Sequence, residues 1–349
     1  MAGHRLSLAR ASRTELKHAA LRLVGYGLLA VLVLKLVPTL EDAITTLGHV
    51  SWSWLLVAFA LELASEIGYV VSWCAVLDPE GEIARGEHGP GISVRVAWTQ
   101  LGGSTLVPAG TAGTLGIGAW LLHRLGVPGH RIAERELSLS LLNTAIDALT
   151  VFAVGLLLAT GLVAREHNLA LTLLPALLAA AGLLGVLWLA RHEQRRVKVI
   201  RRAHPKRAAS LSALADAVLD VDEFLFHGVR VAAALGTLAY FGFDVLVLWS
   251  AFFALHAHPV PDLGVVVLAY VIGALGGSIP GLGVVGSVGG IAGMLILYGV
   301  DSSVAVAAVL LYQAVNLILP LAGGSVAYLS VRSQLHPPAP QADVAGGSG

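Results

Sequence analysis

The sequence has little charge, one cysteine and few lysines, and each shortage excludes something. Only 13% of its 349 residues are charged, against roughly 25% in a typical soluble domain. Formal net charge is zero, so the basic footprint of a nucleic-acid binder is missing. Cys74 stands alone; it forms no internal disulfide and belongs to no zinc or redox spacing. There is no Walker motif, which argues against ATP-driven pumping. No constellation of residues looks catalytic, and none calls for a metal or other cofactor. His256 and His258 sit in a short loop without further ligands and read as interfacial residues. The 18 arginines against 4 lysines, with abundant Ala, Val and Gly, point to a GC-rich bacterial genome.

What is abundant is apolar length. Hydrophobic residues make up 56% of the chain and mean hydropathy is +0.79. Several apolar runs exceed the ~18 residues that suffice to span a bilayer. Six full spans are expected at about 21–38, 52–77, 135–162, 168–190, 229–255 and 303–332. The first follows Arg5, Arg10, Arg13, Lys17 and Arg22 and has no A-x-A-like cleavage site beside it, so it reads as a retained helix rather than a signal peptide. Residues 1–20 form a basic arm, and 334–349 are Pro-, Ala- and Gly-rich and expected to be disordered.

Arginine and lysine set the direction. The connection 191–228 opens with eight basic residues, Arg191 to Arg207, and closes with an amphipathic stretch bearing Asp216, Asp220, Asp222 and Glu223. The loops at 163–167 and 256–262 hold only Arg165. Both termini are therefore expected in the cytoplasm, with the protein in the inner (cytoplasmic) membrane. The basic run 191–207 is first a topology determinant and second a contact for anionic lipid headgroups.

Two further apolar segments, 94–127 and 263–300, are glycine-rich and interrupted by proline. Both begin Leu-Gly-Gly-Ser, at Leu101 and Leu275; both then carry a proline and closely spaced glycines; both close with Gly-Val. Each follows two spans and precedes one. The expected fold is all-α: six transmembrane helices plus two re-entrant helical hairpins, arranged as an inverted repeat over 21–162 and 163–333. Non-helical backbone at membrane depth survives only when buried in protein or lining a cavity. Broken helices in inverted repeats are the pattern of secondary transporters. The breaks fall at Pro108, Gly110 and Gly113 and at Pro280, Gly281, Gly283 and Gly286, where free backbone N–H groups are placed to hold a phosphate.

Ionisable residues inside a span cost roughly 2.5–3.5 kcal/mol each on insertion scales and mark function by default. Glu62 and Glu66 lie four apart on one helix face, which Tyr69 and Trp73 continue. Ser140, Asn143, Asp147 and Thr150 share helical spacing, as do Tyr240 and Asp244, and Gln313, Asn316 and Pro320. A carboxylate there is stable as the neutral acid or against a polar cavity. Glu62, Glu66, Asn143, Asp147, Asp244, Gln313 and Asn316 are thus the candidate substrate or proton path. Arg95 and Arg124, at the two ends of the first hairpin, are headgroup candidates.

Three stretches in this arrangement carry a resemblance: Val107-Pro-Ala-Gly-Thr-Ala-Gly113, Ile279-Pro-Gly-Leu-Gly-Val-Val-Gly286 and Leu310-Leu-Tyr-Gln-Ala-Val-Asn316. Over about 21–333 the chain resembles the transmembrane region of lysylphosphatidylglycerol synthases, also called flippase-like membrane proteins. The resemblance implies a counterpart of the part that moves aminoacylated phosphatidylglycerol between leaflets, without the soluble aminoacyl-transferase domain. Membrane lipids, phospholipid or isoprenoid-type, are the implied partners. The alternatives are an integral-membrane transferase on a lipid-linked substrate and a non-transporting partner of another membrane protein. The family commonly carries Glu where Gly286 stands and Arg where Gln313 stands. If those two form a buried pair, losing both is tolerable where losing one strands a charge.

Overall fold

The computed structural model describes residues 50–83, 91–106, 111–159, 229–275 and 283–335, with isolated positions at 48, 89 and between 173 and 185. The expected spans 21–38 and 168–190, the connection 191–228 and both terminal segments lie outside the continuously described stretches. Within these, the chain forms eight helices and no strand: α1 Trp52–Leu77, α2 Ile92–Leu106, α3 Thr111–Arg124, α4 Gly129–Ala159, α5 Val229–Ala254, α6 Leu263–Ala274, α7 Gly283–Leu297 and α8 Ser302–Leu335.

Four of them, α1, α4, α5 and α8, are long and apolar enough to cross a membrane. They coincide with the expected spans 52–77, 135–162, 229–255 and 303–332. The largest difference is at α4, which begins at Gly129 rather than 135. Its first turns hold His130, Arg131 and Glu134, and backbone hydrogen bonding carries a helix past the point where apolar composition ends. The glycine-rich segments are two pairs of shorter helices, α2–α3 and α6–α7, each packed against its own partner. At 1.5 Å per residue, each is about 18–22 Å long, short of a ~30 Å hydrocarbon core.

The Gly-Val signature shared by the two segments has a local cause. Gly126 (φ +88°) and Gly299 (φ +90°) take the left-handed conformation. The next residue reaches back: Val127 N–H donates to Leu122 O, and Val300 N–H to Leu295 O, both at 3.0 Å. This is the Schellman closure, which satisfies carbonyls at a helix C-terminus and favours glycine at the turning point. At the start of α8, Asp301 Oδ1 accepts from the backbone N–H of Ser303 at 2.9 Å and of Val304 at 3.3 Å, capping the N-terminus.

α1 and α5 run antiparallel. Ser51 N–H donates to Ala254 O at 2.9 Å, tying the start of one to the end of the other. They cross backbone to backbone at Gly68 and Gly236: a Cβ on Gly236 would stand 2.7 Å from both Gly68 O and Ser72 N. Ser72 and Thr237 hydroxyls bond across the crossing at 2.7 Å, and Ser65 Oγ donates to Tyr240 O at 2.8 Å. A second close crossing joins α2 to α8, where a Cβ on Gly102 would stand 2.5 Å from Pro320 O. A third joins α6 to α7 at Gly273 and Gly290. Small residues let helix backbones approach in this way.

The packing has an internal order. Exchange α1 with α5, α2 with α6, α3 with α7 and α4 with α8, and the main helix neighbours map onto one another. The α2–α8 pair maps onto α6–α4, α3–α4 onto α7–α8, α1–α4 onto α5–α8, α1–α8 onto α5–α4, and α1–α2 onto α5–α6.

The surface inverts the rule for water-soluble domains. Leu56, Ile67, Leu156, Leu238, Ile318, Val326 and Leu329 are exposed along the helices, whereas Glu62, Glu66, Gln100, Glu136 and Asp244 are buried. Exposed large apolar side chains outside and buried carboxylates inside fit a surface in contact with something other than water. The arginines of the described residues, Arg95, Arg124, Arg131, Arg135, Arg230 and Arg332, all belong to helix turns at one end of the bundle. Among the described residues the opposite end, around Ser51, Ala254 and Asp301, has none.

Candidate functional site

Four helices bring polar side chains together near mid-depth. From α5, Asp244 is 2% exposed, and from α1, Glu62 is 1% exposed. Asp244 Oδ2 accepts from the hydroxyl of Tyr312 on α8 at 3.0 Å and from that of Tyr270 on α6. Its Oδ1 accepts from Asn316 Nδ2 at 2.9 Å, and the same amide donates to Glu62 Oε1 at 3.2 Å. One amide from α8 therefore bridges carboxylates from the two antiparallel helices, using both of its N–H groups. Pro320, one turn further on, has no N–H to offer the Asn316 carbonyl, so the helix's own hydrogen bonding is interrupted beside the cluster.

The cluster is unevenly satisfied. Asp244 has three donors; Glu62 Oε2 has none, and neither oxygen of Glu66 has a partner, although Glu66 is 1% exposed. Among the described residues no arginine or lysine pairs with these carboxylates; the salt bridge seen is Arg131 with Glu82, exposed at the arginine end. Asp147 on α4 is half-buried and within electrostatic reach of Asp244. A buried polar atom without a partner costs ~1–3 kcal/mol, and more for a charged group. Such atoms are few in native structures, and each calls for a physical cause.

The α1 stripe continues toward the arginine end. Tyr69 packs against Tyr240 of α5 with ring centroids 5.4 Å apart. Trp73 Nε1 donates to Gln100 Oε1 of α2 at 2.9 Å, and Gln100 Nε2 donates to Glu136 Oε2 of α4 at 3.1 Å. Gly118 of α3 makes room for the Gln100 amide: a Cβ there would sit 2.0 Å from Gln100 Oε1. Glu136 Oε1 is buried without a partner. From Glu62 to Trp73 the stripe climbs about 16 Å along α1.

Of the sequence candidates, Glu62, Asp244 and Asn316 meet through hydrogen bonds, with Glu66 and Asp147 within electrostatic reach of them. Asn143 lies one turn from Asp147 on α4, and Gln313 lies on α8 beside Tyr312; the amide that reaches the carboxylates is that of Asn316. Arg95, in the first turn of α2, and Arg124, stacked over Trp120 at 5.6 Å, stand at the arginine end rather than at mid-depth. Of the expected breaks, Gly113 lies within α3, Gly283 opens α7 and Gly286 lies in its first turn; Pro108, Gly110, Pro280 and Gly281 fall outside the described residues. Tyr270, Tyr312, Gln100 and Glu136 are not among the sequence candidates. Tyr312 carried a signal, standing four residues before Asn316; the other three meet their partners only through tertiary packing.

Residues 22–324 match the family described as the lysylphosphatidylglycerol synthase TM region. No curated protein matches the chain. With most of its length covered, the chain belongs to that family, whose members are multi-pass membrane proteins related to lipid modification or transport.

Proposed function

We propose that this family member moves a phospholipid or isoprenoid-type lipid across the cytoplasmic membrane, holding its polar head against the mid-depth carboxylates while the tails stay in the bilayer. The observation that carries the reading is the cluster itself: Glu62, Glu66 and Asp244, buried on two antiparallel helices, with three oxygens unpartnered and, among the described residues, no basic residue paired to them. Polar groups of this kind inside a membrane bundle mark substrate or proton pathways. The protein acts as a carrier, exchanging hydrogen bonds with the head and leaving its covalent bonds intact.

The architecture supports the same reading. The exchange symmetry of helix neighbours and the matched caps of α3 and α7 favour an inverted repeat, 21–162 against 163–333, of six spans and two re-entrant hairpins. The gathering of described arginines at one end favours placing that end, and both termini, in the cytoplasm.

The test is purification in mild detergent, mass spectrometry of co-purified lipid, and a leaflet-exchange assay in liposomes. Wild type should retain lipid and accelerate exchange. Asp147→Asn and Asp244→Asn should each slow exchange by about tenfold or more, the loss of roughly one charge-assisted hydrogen bond. Exchange untouched by both substitutions would make the carboxylates structural. A wild type that holds no lipid and exchanges none would favour a partner protein without transport activity.

A further inference from the structure

A second buried carboxylate faces a cavity at the arginine end. The cavity, about 760 Å³, lies between α3 and α4. Its walls run from exposed residues, Trp120, His123 and Ser140, to a buried floor of Ile132 and Glu136. Glu136 is 6% exposed, and its Oε1 has no partner. Apart from that carboxylate the floor and sides are largely apolar, with Ala119, Ala133 and Leu137. A volume of this size, apolar with one placed polar group, is the usual make-up of a small-molecule or lipid site. Trp120 carries Arg124 over its ring at 5.6 Å, the pairing of aromatic and cation found at the level of lipid headgroups.

The polarity of Glu136 is fixed from behind. An indole N–H only donates, so Trp73 must face the oxygen of the Gln100 amide, at 2.9 Å. The NH₂ of Gln100 is thereby turned to Glu136 Oε2, at 3.1 Å. With Oε2 held as an acceptor, Oε1 is the atom left for an occupant of the cavity. We infer that this cavity is a binding site for an amphiphile whose head carries N–H or O–H donors, with the head on Glu136 Oε1 and the adjoining chain along Ile132 and Leu137. The site rests on the lipid-handling reading but not on transport, and it is separate from the Asp244 cluster.

The probes are three phospholipids of equal chain length, each with a fluorescent tail: phosphatidylethanolamine, phosphatidylglycerol and phosphatidylcholine. The first offers ammonium donors, the second hydroxyl donors, the third none, and the first and third carry the same net charge. Binding is titrated to the full-length protein in detergent. Wild type should bind the two donor-bearing lipids at least about tenfold more tightly than phosphatidylcholine, one charge-assisted hydrogen bond's worth. Preference for only one of the two would identify the donor as ammonium or hydroxyl. Glu136→Gln keeps the shape but reverses the chemistry, because the new amide must turn its oxygen to Gln100 and leave its NH₂ in the cavity. The donor preference should vanish in this variant. Ala133→Trp, at an exposed wall position, fills the cavity and should weaken all three lipids together. Equal binding of the three lipids by wild type, or a donor preference that survives both substitutions, overturns the site. Loss of leaflet exchange with donor-selective binding intact would count against the transport reading and leave this site standing.

Discussion

Placing a methyl group at Gly236 tests the α1–α5 crossing most directly. The Cβ of Gly236→Ala would stand 2.7 Å from Gly68 O and from Ser72 N, both backbone atoms, whereas ordinary contact begins at 3.4 Å. No side chain can rotate away, so the helices must separate by about 0.7 Å, the difference of those two figures. Such a shift stretches the Ser72–Thr237 bond from 2.7 to about 3.4 Å and the Ser65–Tyr240 bond from 2.8 to about 3.5 Å, the edge of what counts as a hydrogen bond. Overpacking costs ~1–3 kcal/mol, and interhelical hydrogen bonds in membrane proteins are worth only ~0.6 kcal/mol each. The sum is about 2–4 kcal/mol. Gly242, one and a half turns along the same helix, has nothing within 4 Å of its Cβ position, so Gly242→Ala should be neutral or gain up to ~1 kcal/mol in helix propensity. Equilibrium unfolding in mixed detergent micelles, followed by far-UV circular dichroism, compares the two. They should differ by about 2–5 kcal/mol, with Gly236→Ala the weaker. If the two variants unfold alike, the crossing is not held by backbone contact and the geometry argued for Glu62 and Asp244 goes with it.

Asn316→Leu strips one donor from each of two buried carboxylates and should cost about 1–3 kcal/mol; a double-mutant cycle with Asp244→Asn should show coupling between the two, and strict additivity would mean the bridge contributes nothing. The Ser303 hydroxyl, with the N–H groups of Val304 and Ser303, holds the Asp301 carboxyl below the usual carboxylate range. A depressed folded pKa contributes stability above the unfolded value, lost as pH falls through the folded one. The stability gap between wild type and Asp301→Ala should therefore be full at neutral pH and close below about pH 4; a gap unchanged down to pH 2 would mean that the cap works without its charge. Gly286→Glu and Gln313→Arg sit on helices that pack against each other. Each alone should destabilise by about 3–5 kcal/mol as a stranded charge, and the two together by clearly less; a double variant as poor as the worse single one means these positions do not pair.

Much of this was readable in the sequence because bilayer physics acts on local composition. Apolar length located α1, α4, α5 and α8 to within a few residues except at the polar start of α4. The stripe Glu62–Glu66–Tyr69–Trp73 was legible as one helix face, and all four residues are buried. Gly-Val predicted two matched helix ends because a left-handed turn leaves a mark in the residue that makes it. The Glu136–Gln100–Trp73 chain left no such mark. Its members come from three helices, and 36 residues separate Gln100 from Glu136, so no spacing rule joins them. The glycines were only half legible. Gly110, Gly113, Gly281, Gly283 and Gly286 were expected as breaks, whereas Gly102, Gly273, Gly290 and Gly324, which were not singled out, lie where helices touch. The doublets Gly102-Gly103 and Gly323-Gly324 hinted at that contact, but composition alone does not tell a glycine that ends a helix from one that lets another helix in.

The contact of α2 with α8 also has a mechanical side. Gly102 and Gly324 meet through backbone, whereas the matching pair, α6 and α4, meets at Gly264 through the flexible side chain of Leu158. One joint is stiff and the other compliant. Gln100, which orients the Glu136 cavity, stands two residues from the stiff joint; Asn316, which bridges Glu62 and Asp244, stands one helical turn from Pro320 on its other side. The two sites therefore flank one backbone contact, Gln100 on the α2 side and Asn316 on the α8 side.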